Sequence, residues 1–289
     1  MIEVRDLRVD EAGAPCIDGL AFRSEKKRVL VLGAPREVML ACAGLAPIVR
    51  GSVVIEGETP ARALALGRIA VSPQGGPMPR AWSPLTYVEW SARLAGVPKK
   101  ELREVAETAL AHVGLAAPTI HAPMRRASIL VRRSTQLAAA LVPAGATLVL
   151  WDPFADLAPE DEAVLAPIVT RALGAVRGLI FASRAPWGGP LAKAMEEVVV
   201  VAGSAVVAQG PIDEVAAKSG AFLVRAAGDV PAFVAALEEG GASVSQAPAA
   251  GGDALFVELG AMDAVALFRA AARADAVVIE LRPMASQFS

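Results

Sequence analysis

The chain contains 289 residues, of which 54% are hydrophobic and 20% charged, and its formal net charge is −2. This length predicts one or two domains with a core that needs neither disulfides nor metals, and the composition excludes a disordered chain. The net charge lacks the positive excess that is typical of a general nucleic-acid binder. Two cysteines without metal-ligand spacing and only two histidines predict a reducing compartment, no metal site and no histidine-based active site.

The mean hydropathy of +0.47 requires a check for membrane spans. The longest apolar stretch, Leu137 to Trp151, is interrupted by Pro143 and Gly145 and falls short of the roughly 20 residues of a spanning helix. We therefore expect alanine-rich helices and valine-rich buried strands instead of a span. The N-terminus, MIEVRDLRVD, has the charged alternation of a strand and not of a signal peptide.

The first part of the chain is predicted to be mostly strand. Apolar alternation or buried apolar runs predict strands at 1–9, 19–23, 28–32, 52–56 and 69–72, with a helix at 37–45. The strand at 28–32 contains VLVL and runs into Gly33, which is typical of a buried parallel strand followed by a tight turn.

A helical section follows, and strands then return. Helical periodicity predicts helices at 85–95, 99–113, 131–141 and 159–173, strands at 147–150 and 179–182, and a hairpin of 197–202 with 205–209. Ser83 is the expected N-cap of the first helix. Pro167 should kink the last one.

The final part has a different organisation. Between 220 and 281 the predicted order is strand, helix, strand, strand, helix, strand, the split βαβ arrangement. A boundary near 210–219 predicts two domains, 1–215 and 216–289.

Segments in a fixed order resemble the ATP-binding subunit of ABC transporters over about residues 1–220. They are AGLAPIVRGSVVIEG (43–57), RIAVSPQ (68–74), LTYVEWSARLAGVPKKE (85–101), RRSTQLAAALV (132–142), TLVLWDPFADLAPEDEAVL (147–165), LIFASRAP (179–186) and AQGPIDEV (208–215). The resemblance implies an α/β, ABC-type P-loop NTPase-like core with a mixed sheet and a helical subdomain at about 80–135. The remaining small α+β split βαβ domain resembles the C-terminal extension of ATPases that serve ABC-2-type exporters.

The phosphate loop of that family is altered. Its motif is G-x-x-x-x-G-K-[ST], in which backbone N–H groups and the lysine hold phosphates and the hydroxyl binds magnesium. Counting from Gly33 places Val38, Met39 and Leu40 at the glycine, lysine and hydroxyl positions; counting back from Ala43 places Pro35 and Arg36 at the lysine and hydroxyl. The connection is also shorter than the family's by roughly four residues. Gly33 and Arg36 remain as vestigial nucleotide-binding residues, although an exposed loop arginine is the favoured interpretation of Arg36.

The signature loop, L-S-G-G-Q in the family, corresponds here to residues 127–131, ASILV. Ser128 is retained, but Ile129 and Leu130 replace both glycines and should hinder a phosphate from approaching the backbone. We expect Ser128 to cap the following helix in preference to contacting a ligand.

The carboxylate pair of the Walker B motif is reduced to one residue. An alignment without gaps places Trp151 at the magnesium-linked aspartate and Asp152 at the catalytic glutamate. A one-residue gap instead places Asp152 at the magnesium position and removes the base. A structural role for Asp152 as a cap of the loop before Pro153 is slightly favoured over both.

Two further positions complete the candidate site. Arg184 stands at the switch histidine, where an always-charged guanidinium cannot act as a neutral hydrogen-bonding hinge; it could pair with Asp152 or Asp156. Gln74, which in the family senses nucleotide and touches the membrane subunit, is retained, and a simple polar loop residue is an equal interpretation.

A basic cluster surrounds the start of the predicted helix at 131–141. Its members are Arg125, Arg126, Arg132 and Arg133. They could meet acidic lipid or a partner, but a solvated face is the favoured interpretation.

The leading hypothesis is a catalytically inactive pseudo-ATPase that acts as scaffold or regulator of an ABC-2-type membrane complex. It would dock on the permease through the helical subdomain and the Gln74 loop, at the cytoplasmic face of the membrane, as a homodimer or as a heterodimer with an intact ABC ATPase. Neither ATP nor magnesium is assigned as a cofactor, and no nucleic-acid partner is expected. The alternatives are a divergent active ATPase that uses Arg36 and Asp152, and a soluble binding module whose C-terminal domain senses a small ligand.

Overall fold

A computed structural model of the chain describes residues 2–11, 13–72, 76–143, 145–183, 190–218, 220–246, 254–260 and 262–283. The strands are β1 (Ile2–Glu11), β2 (Ala14–Ser24), β3 (Arg28–Leu32), β4 (Arg50–Ile55), β5 (Ile69–Ser72), β6 (Thr147–Trp151), β7 (Gly178–Ala182), β8 (Glu197–Ala202), β9 (Ala205–Gly210), β10 (Ala221–Gly228), β11 (Ser243–Gln246), β12 (Ala254–Glu258) and β13 (Ala276–Pro283). The helices are α1 (Arg36–Cys42), α2 (Pro60–Ala65), α3 (Pro84–Leu94), α4 (Leu102–His112), α5 (Ile129–Leu141), α6 (Pro159–Ala175), α7 (Pro190–Ala194), α8 (Ile212–Lys218), α9 (Val230–Glu239) and α10 (Ala264–Arg273). Two 3-10 turns lie at Thr119–His121 and Met124–Arg126.

The described residues form two compact units, one of 2–183 with 194–209 and one of 190–193 with 210–283. The first unit contains a six-stranded sheet of order β5-β6-β7-β3-β8-β9 and a three-stranded sheet of order β2-β1-β4. The first five strands of the larger sheet are parallel, and β9 follows β8 after a two-residue turn. Both pairings of β1 in the smaller sheet are antiparallel. The α/β class with a mixed sheet is therefore confirmed.

The core of the first unit lies on the central parallel strands. Every residue of β6 and β7 is buried, because elements cover both faces of the sheet, and the sequence of these strands is accordingly a continuous apolar run. Val31, Val149, Phe181 and Val199 belong to one buried apolar cluster together with side chains of β1 and β2. This packing fixes the strand ends at which the candidate site lies.

The helices that follow β5 pack on one another. The helix α3 contacts both α4 and α5, and Ser83 caps α3 by accepting a hydrogen bond from the Thr86 N–H (3.1 Å). The helix α6 continues through Pro167, where the sequence predicted a kink. Leu165, Val169 and Leu173 are buried along α6, and their packing holds the helix although the proline lacks an N–H group.

The second unit has the split βαβ arrangement that the sequence predicted. Its antiparallel sheet has the order β11-β12-β10-β13, so that the first and third strands of the unit are central. The helices α9 and α10 contact each other and, with the sheet, enclose a core that includes Phe233, Leu237 and Leu267.

Candidate functional site

The candidate site lies at the carboxyl ends of β6, β7 and β3, which are neighbours in the six-stranded sheet. Open α/β sheets bind ligands outside the carboxyl ends of their strands. Asp152, Ser183 and Gly33 directly follow the three strands, so two of the positions predicted from sequence, Gly33 and Asp152, come to the same edge.

Gly33 makes a tight turn at the end of β3. Its φ is +75°, and its N–H donates to the Ala182 carbonyl of β7 at 3.2 Å. A Cβ at this position would collide with the Val201 carbonyl oxygen of β8. Glycine is therefore required here by backbone conformation and by close packing, independently of any ligand.

Only Gly33, Ala34 and Pro35 connect β3 to the helix α1, which has seven residues. Val38 and Met39, at the motif's glycine and lysine positions, are fully buried in the core, and Leu40 packs against the same core. Pro35 occupies the N-cap without a side-chain hydrogen bond. The turn thus lacks the long loop of backbone N–H groups that cradles phosphates in the motif.

The residues of this turn do not fit a nucleoside triphosphate with magnesium. Residues 33–42 contain no lysine, serine or threonine. Arg36 is exposed, and its side chain has no hydrogen-bond or ion-pair partner among the described residues. Both alignments of the phosphate motif therefore lead to positions without the motif's lysine or hydroxyl, and Arg36 is the one cationic side chain of residues 33–42.

Asp152 is held by the neighbouring strand. Its Oδ1 accepts from the Ser183 N–H at 2.9 Å and from the Ser183 hydroxyl at 3.2 Å, and its own N–H donates to the Phe181 carbonyl at 2.8 Å. The φ of Asp152 is +37°, a conformation that aspartate tolerates better than most residues. Ser183 was not singled out from the sequence, because a serine after a buried strand has no distinguishing pattern.

Trp151 is part of the core and not of the exposed edge. It is the last residue of β6, it is buried, and its ring lies against Phe181 with a centroid separation of 6.5 Å. The position that a gapless alignment gives to the metal-linked aspartate is thus occupied by an apolar packing residue.

Ser128 caps α5. Its hydroxyl accepts from the Val131 N–H at 3.3 Å, which is the bond of an N-cap residue. Ile129 follows in the first turn with an exposed side chain. The apolar side chain of Ile129 therefore occupies a position at which the family's signature has a glycine.

Two polar residues of α5, the buried Gln136 and the partly buried Arg133, connect the helix to loops of the sheet. Gln136 donates to the Gly76 carbonyl at 3.3 Å, in the connection after β5. Arg133 donates to the Ala155 carbonyl at 3.3 Å and lies 3.8 Å from the Asp156 carboxylate, in the turn after β6. Of the four clustered arginines, Arg133 is not part of a solvated face, since its side chain is only 11% exposed.

Gln74 and Arg184 lie outside the described residues. In the part of the chain that the structure describes, no group of three or more histidine, cysteine or acidic residues is arranged to hold a metal ion. Within the same part, no helix combines the length and apolarity needed to cross a membrane.

No protein-family model matches the chain, and a search of curated proteins found no similar sequence. Solved structures share its fold, and those compared are ABC transporter ATP-binding cassettes. One is CbiO1 from Clostridium perfringens, described as part of the ABC transporter complex CbiONQ. It has a TM-score of 0.61 at 17% identity, covering 74% of this chain and 89% of that chain.

Two further structures agree. The dimeric structure of MJ0796, a bacterial ABC transporter cassette, has a TM-score of 0.62 at 11% identity and covers 73% of this chain and 99% of that chain. An ATP-binding subunit of an ABC transporter has a TM-score of 0.62 at 15% identity, with 74% and 91% covered. At these identities the comparisons establish the fold alone, and that fold is the P-loop NTPase-like fold of ABC ATP-binding cassettes.

Proposed function

We propose that the chain is an ABC transporter ATP-binding-protein-like subunit that does not hydrolyse ATP. It acts as a scaffold or regulator of an ABC-2-type membrane complex. The observation that carries this proposal is the three-residue turn between β3 and α1, which places Val38 and Met39 in the core where the motif has its glycine and lysine.

The chemistry of phosphoryl transfer supports the absence of hydrolysis. That reaction depends on positioned cations and donors that stabilise charge on the transferring group. Here the turn has no lysine or hydroxyl, and the one carboxylate, Asp152, is already engaged by Ser183. The core around these altered positions is nevertheless well packed. This supports a protein that needs the fold but not ATP hydrolysis.

The partners follow from the fold and the resemblance. The cassette MJ0796 forms a dimer and CbiO1 is part of a transporter complex, so we assign this chain a second cassette and a membrane permease as partners. The second cassette is another copy or an intact ABC ATPase, and the permease is of the ABC-2 type. The chain then sits peripherally at the cytoplasmic face of the membrane, docked through the helices of the first unit and the Gln74 loop.

The direct test is nucleotide hydrolysis by the full chain. Phosphate release from ATP with magnesium should equal that of a buffer blank, while an ABC ATPase with intact motifs gives a clear signal in the same assay. The Asp152→Asn variant keeps an oxygen for Ser183 and should behave like the parent. Magnesium-dependent release that disappears in Asp152→Asn would instead establish a divergent active ATPase.

Co-purification tests the scaffold role separately. Full-length tagged chain, extracted from its native membranes in mild detergent, should recover a permease and a second cassette in fixed ratio. Recovery of neither protein, with the tagged chain in the soluble fraction only, would contradict the role at a membrane complex.

A further inference from the structure

A cavity of about 780 Å³ in the first unit is lined by one face of α4, one face of α6 and the end of α5. Its lining includes Ala146 and Leu148, at the amino end of β6. Asp152 follows the opposite, carboxyl end of the same strand. The cavity is therefore separate from the candidate site at the carboxyl edge of the sheet.

Apolar side chains form most of the lining. The four larger half-buried ones come from three helices and the residue after α5, and they are Val105, Leu141, Val142 and Ile168. A ligand with an apolar body would remove the surface that these side chains still expose from water, which is favourable in proportion to the area covered. The lining thus favours a ligand whose middle part is apolar.

The charged residues of the lining separate by sign along α4. Glu101 and Glu104 lie at its start, whereas His112 lies at its end, beside Arg171 of α6. A hydrogen bond of 2.8 Å from Arg171 Nη2 to the His112 carbonyl holds the guanidinium there. Glu104 and His112 are eight positions apart in the chain, so the acidic and basic ends are separated by about 12 Å along the helix.

The polar groups of the lining retain hydrogen-bonding capacity. Arg171 uses one of its five N–H groups, and the Glu104 carboxylate has no partner among the described residues. The His112 Nδ1 atom lies 3.0 Å from the Thr108 carbonyl; because a carbonyl only accepts, Nδ1 carries the hydrogen and Nε2 stays available. The Thr108 hydroxyl, between the two charged ends, also has no partner within the described ranges.

We infer that this cavity binds a short apolar peptide with free termini. The peptide amine meets the carboxylates of Glu101 and Glu104, and the peptide carboxylate meets the planar guanidinium of Arg171, which matches it geometrically. An extended tetrapeptide spans at most about 14 Å, which fits the separation of the two ends. The Thr108 hydroxyl can bond a peptide group between them.

The volume of the cavity supports this ligand class, because it lies in the range of small-ligand sites. A ligand with a single charged end would leave either the acidic or the basic end of the lining without a counterpart. The inference goes beyond the proposed function and does not depend on it, since the cavity shares no residue with the altered phosphate loop.

Calorimetric titration of the full chain with the tetrapeptide Ala-Val-Val-Ala tests the inference. The free peptide should bind saturably at one site per chain. Acetylation of its amine or amidation of its carboxyl group should each weaken binding about tenfold, the effect of losing one charged hydrogen bond. Glu104→Gln and Arg171→Gln should each weaken binding of the free peptide by about the same factor.

Blocked peptides show which protein group meets which terminus. The amidated peptide has no carboxylate for Arg171, so Arg171→Gln should not weaken its binding further, and Glu104→Gln should likewise leave binding of the acetylated peptide unchanged. Glu107→Gln is the matched control, since Glu107 is exposed on the same helix and does not line the cavity. This variant should bind the free peptide as the parent does.

Absence of saturable binding of the free peptide would overturn the inference, as would an equal loss in Glu107→Gln or full additivity of amidation and Arg171→Gln. Glu104 and Arg171 are exposed, so unfolding midpoints should stay at the parent value. The comparison of free and blocked peptides on the parent chain needs no variant. Titration with palmitate identifies another occupant: binding of the fatty acid without binding of the tetrapeptide would also overturn the inference.

Discussion

At the residue scale, hydrogen bonds within the protein connect the residues at the carboxyl edge of the large sheet. Gly33 bonds Ala182 across β3 and β7, and Asp152 bonds Ser183 across β6 and β7. Gly33 and Asp152 correspond to ligand-binding positions of the family that the sequence resembles. Their hydrogen bonds give both residues a structural role that does not require a ligand. The contribution of these two residues to the free energy of unfolding can be measured.

Gly33→Ala should destabilise the chain more than a matched glycine substitution. Gly33 and Gly203 have φ values of +75° and +56°, but a Cβ meets the Val201 carbonyl oxygen only at Gly33, whereas nothing lies within 4 Å at Gly203. Gly203→Ala should cost about 1 kcal/mol from the left-handed backbone alone, and Gly33→Ala at least about 1 kcal/mol more. Urea unfolding of both variants measures the difference; equal losses would show that the β8 backbone yields freely.

At the element scale, α5 determines how the helical part meets the sheet. Its start is fixed by the Ser128 cap, and its buried face makes the Gln136 bond to Gly76 and the Arg133 bond to Ala155. These polar contacts connect the helix to the loops that follow β5 and β6.

Loss of the cap should weaken α5 without changing its contacts. Ser128→Ala removes the acceptor for the Val131 N–H and should lower the free energy of unfolding by about 1 kcal/mol. Ser128→Asp retains an acceptor at the positive helix end and should restore the parent value or exceed it. Chemical denaturation distinguishes the two. A loss in Ser128→Asp as large as in Ser128→Ala would mean that the hydroxyl has a role other than capping.

At the scale of the whole molecule, the two units have separate cores. The buried apolar cluster of the second unit is drawn from residues 222–276 alone, and its sheet needs no strand from the first unit. We propose on this basis that the C-terminal residues form an independent domain, as the sequence predicted with its boundary near 215.

A fragment of residues 210–289 should therefore fold by itself. We expect a cooperative thermal transition in circular dichroism and dispersed amide signals, although a domain of this size has only modest stability. Phe233→Ala is the control, because Phe233 is fully buried and its truncation should cost about 3–5 kcal/mol and abolish the transition. A fragment with no cooperative transition would show that the second unit needs the first.

The sequence by itself predicted the fold class and most of the elements, for a physical reason. Buried parallel strands such as VLVL and LIFA are recognised in the sequence because they are continuous apolar runs. In the C-terminal part, the different spacing of apolar residues in helices and strands predicts which segments are helices and which are strands. Short helices such as α2 and α8 were missed, because one or two turns give no reliable period. The altered motif positions were likewise visible, since Val38, Met39 and Leu40 are evident departures from a fixed spacing.

Only the tertiary structure decided what those positions do instead. Periodicity says that Arg133 lies near a helix start, but its burial and its approach to Asp156 depend on a contact between residues 23 positions apart in the chain. The Asp152–Ser183 bond depends on the adjacency of β6 and β7, which are separated by α6. Such contacts follow from the order of strands in the sheet, and local sequence carries no signal for them.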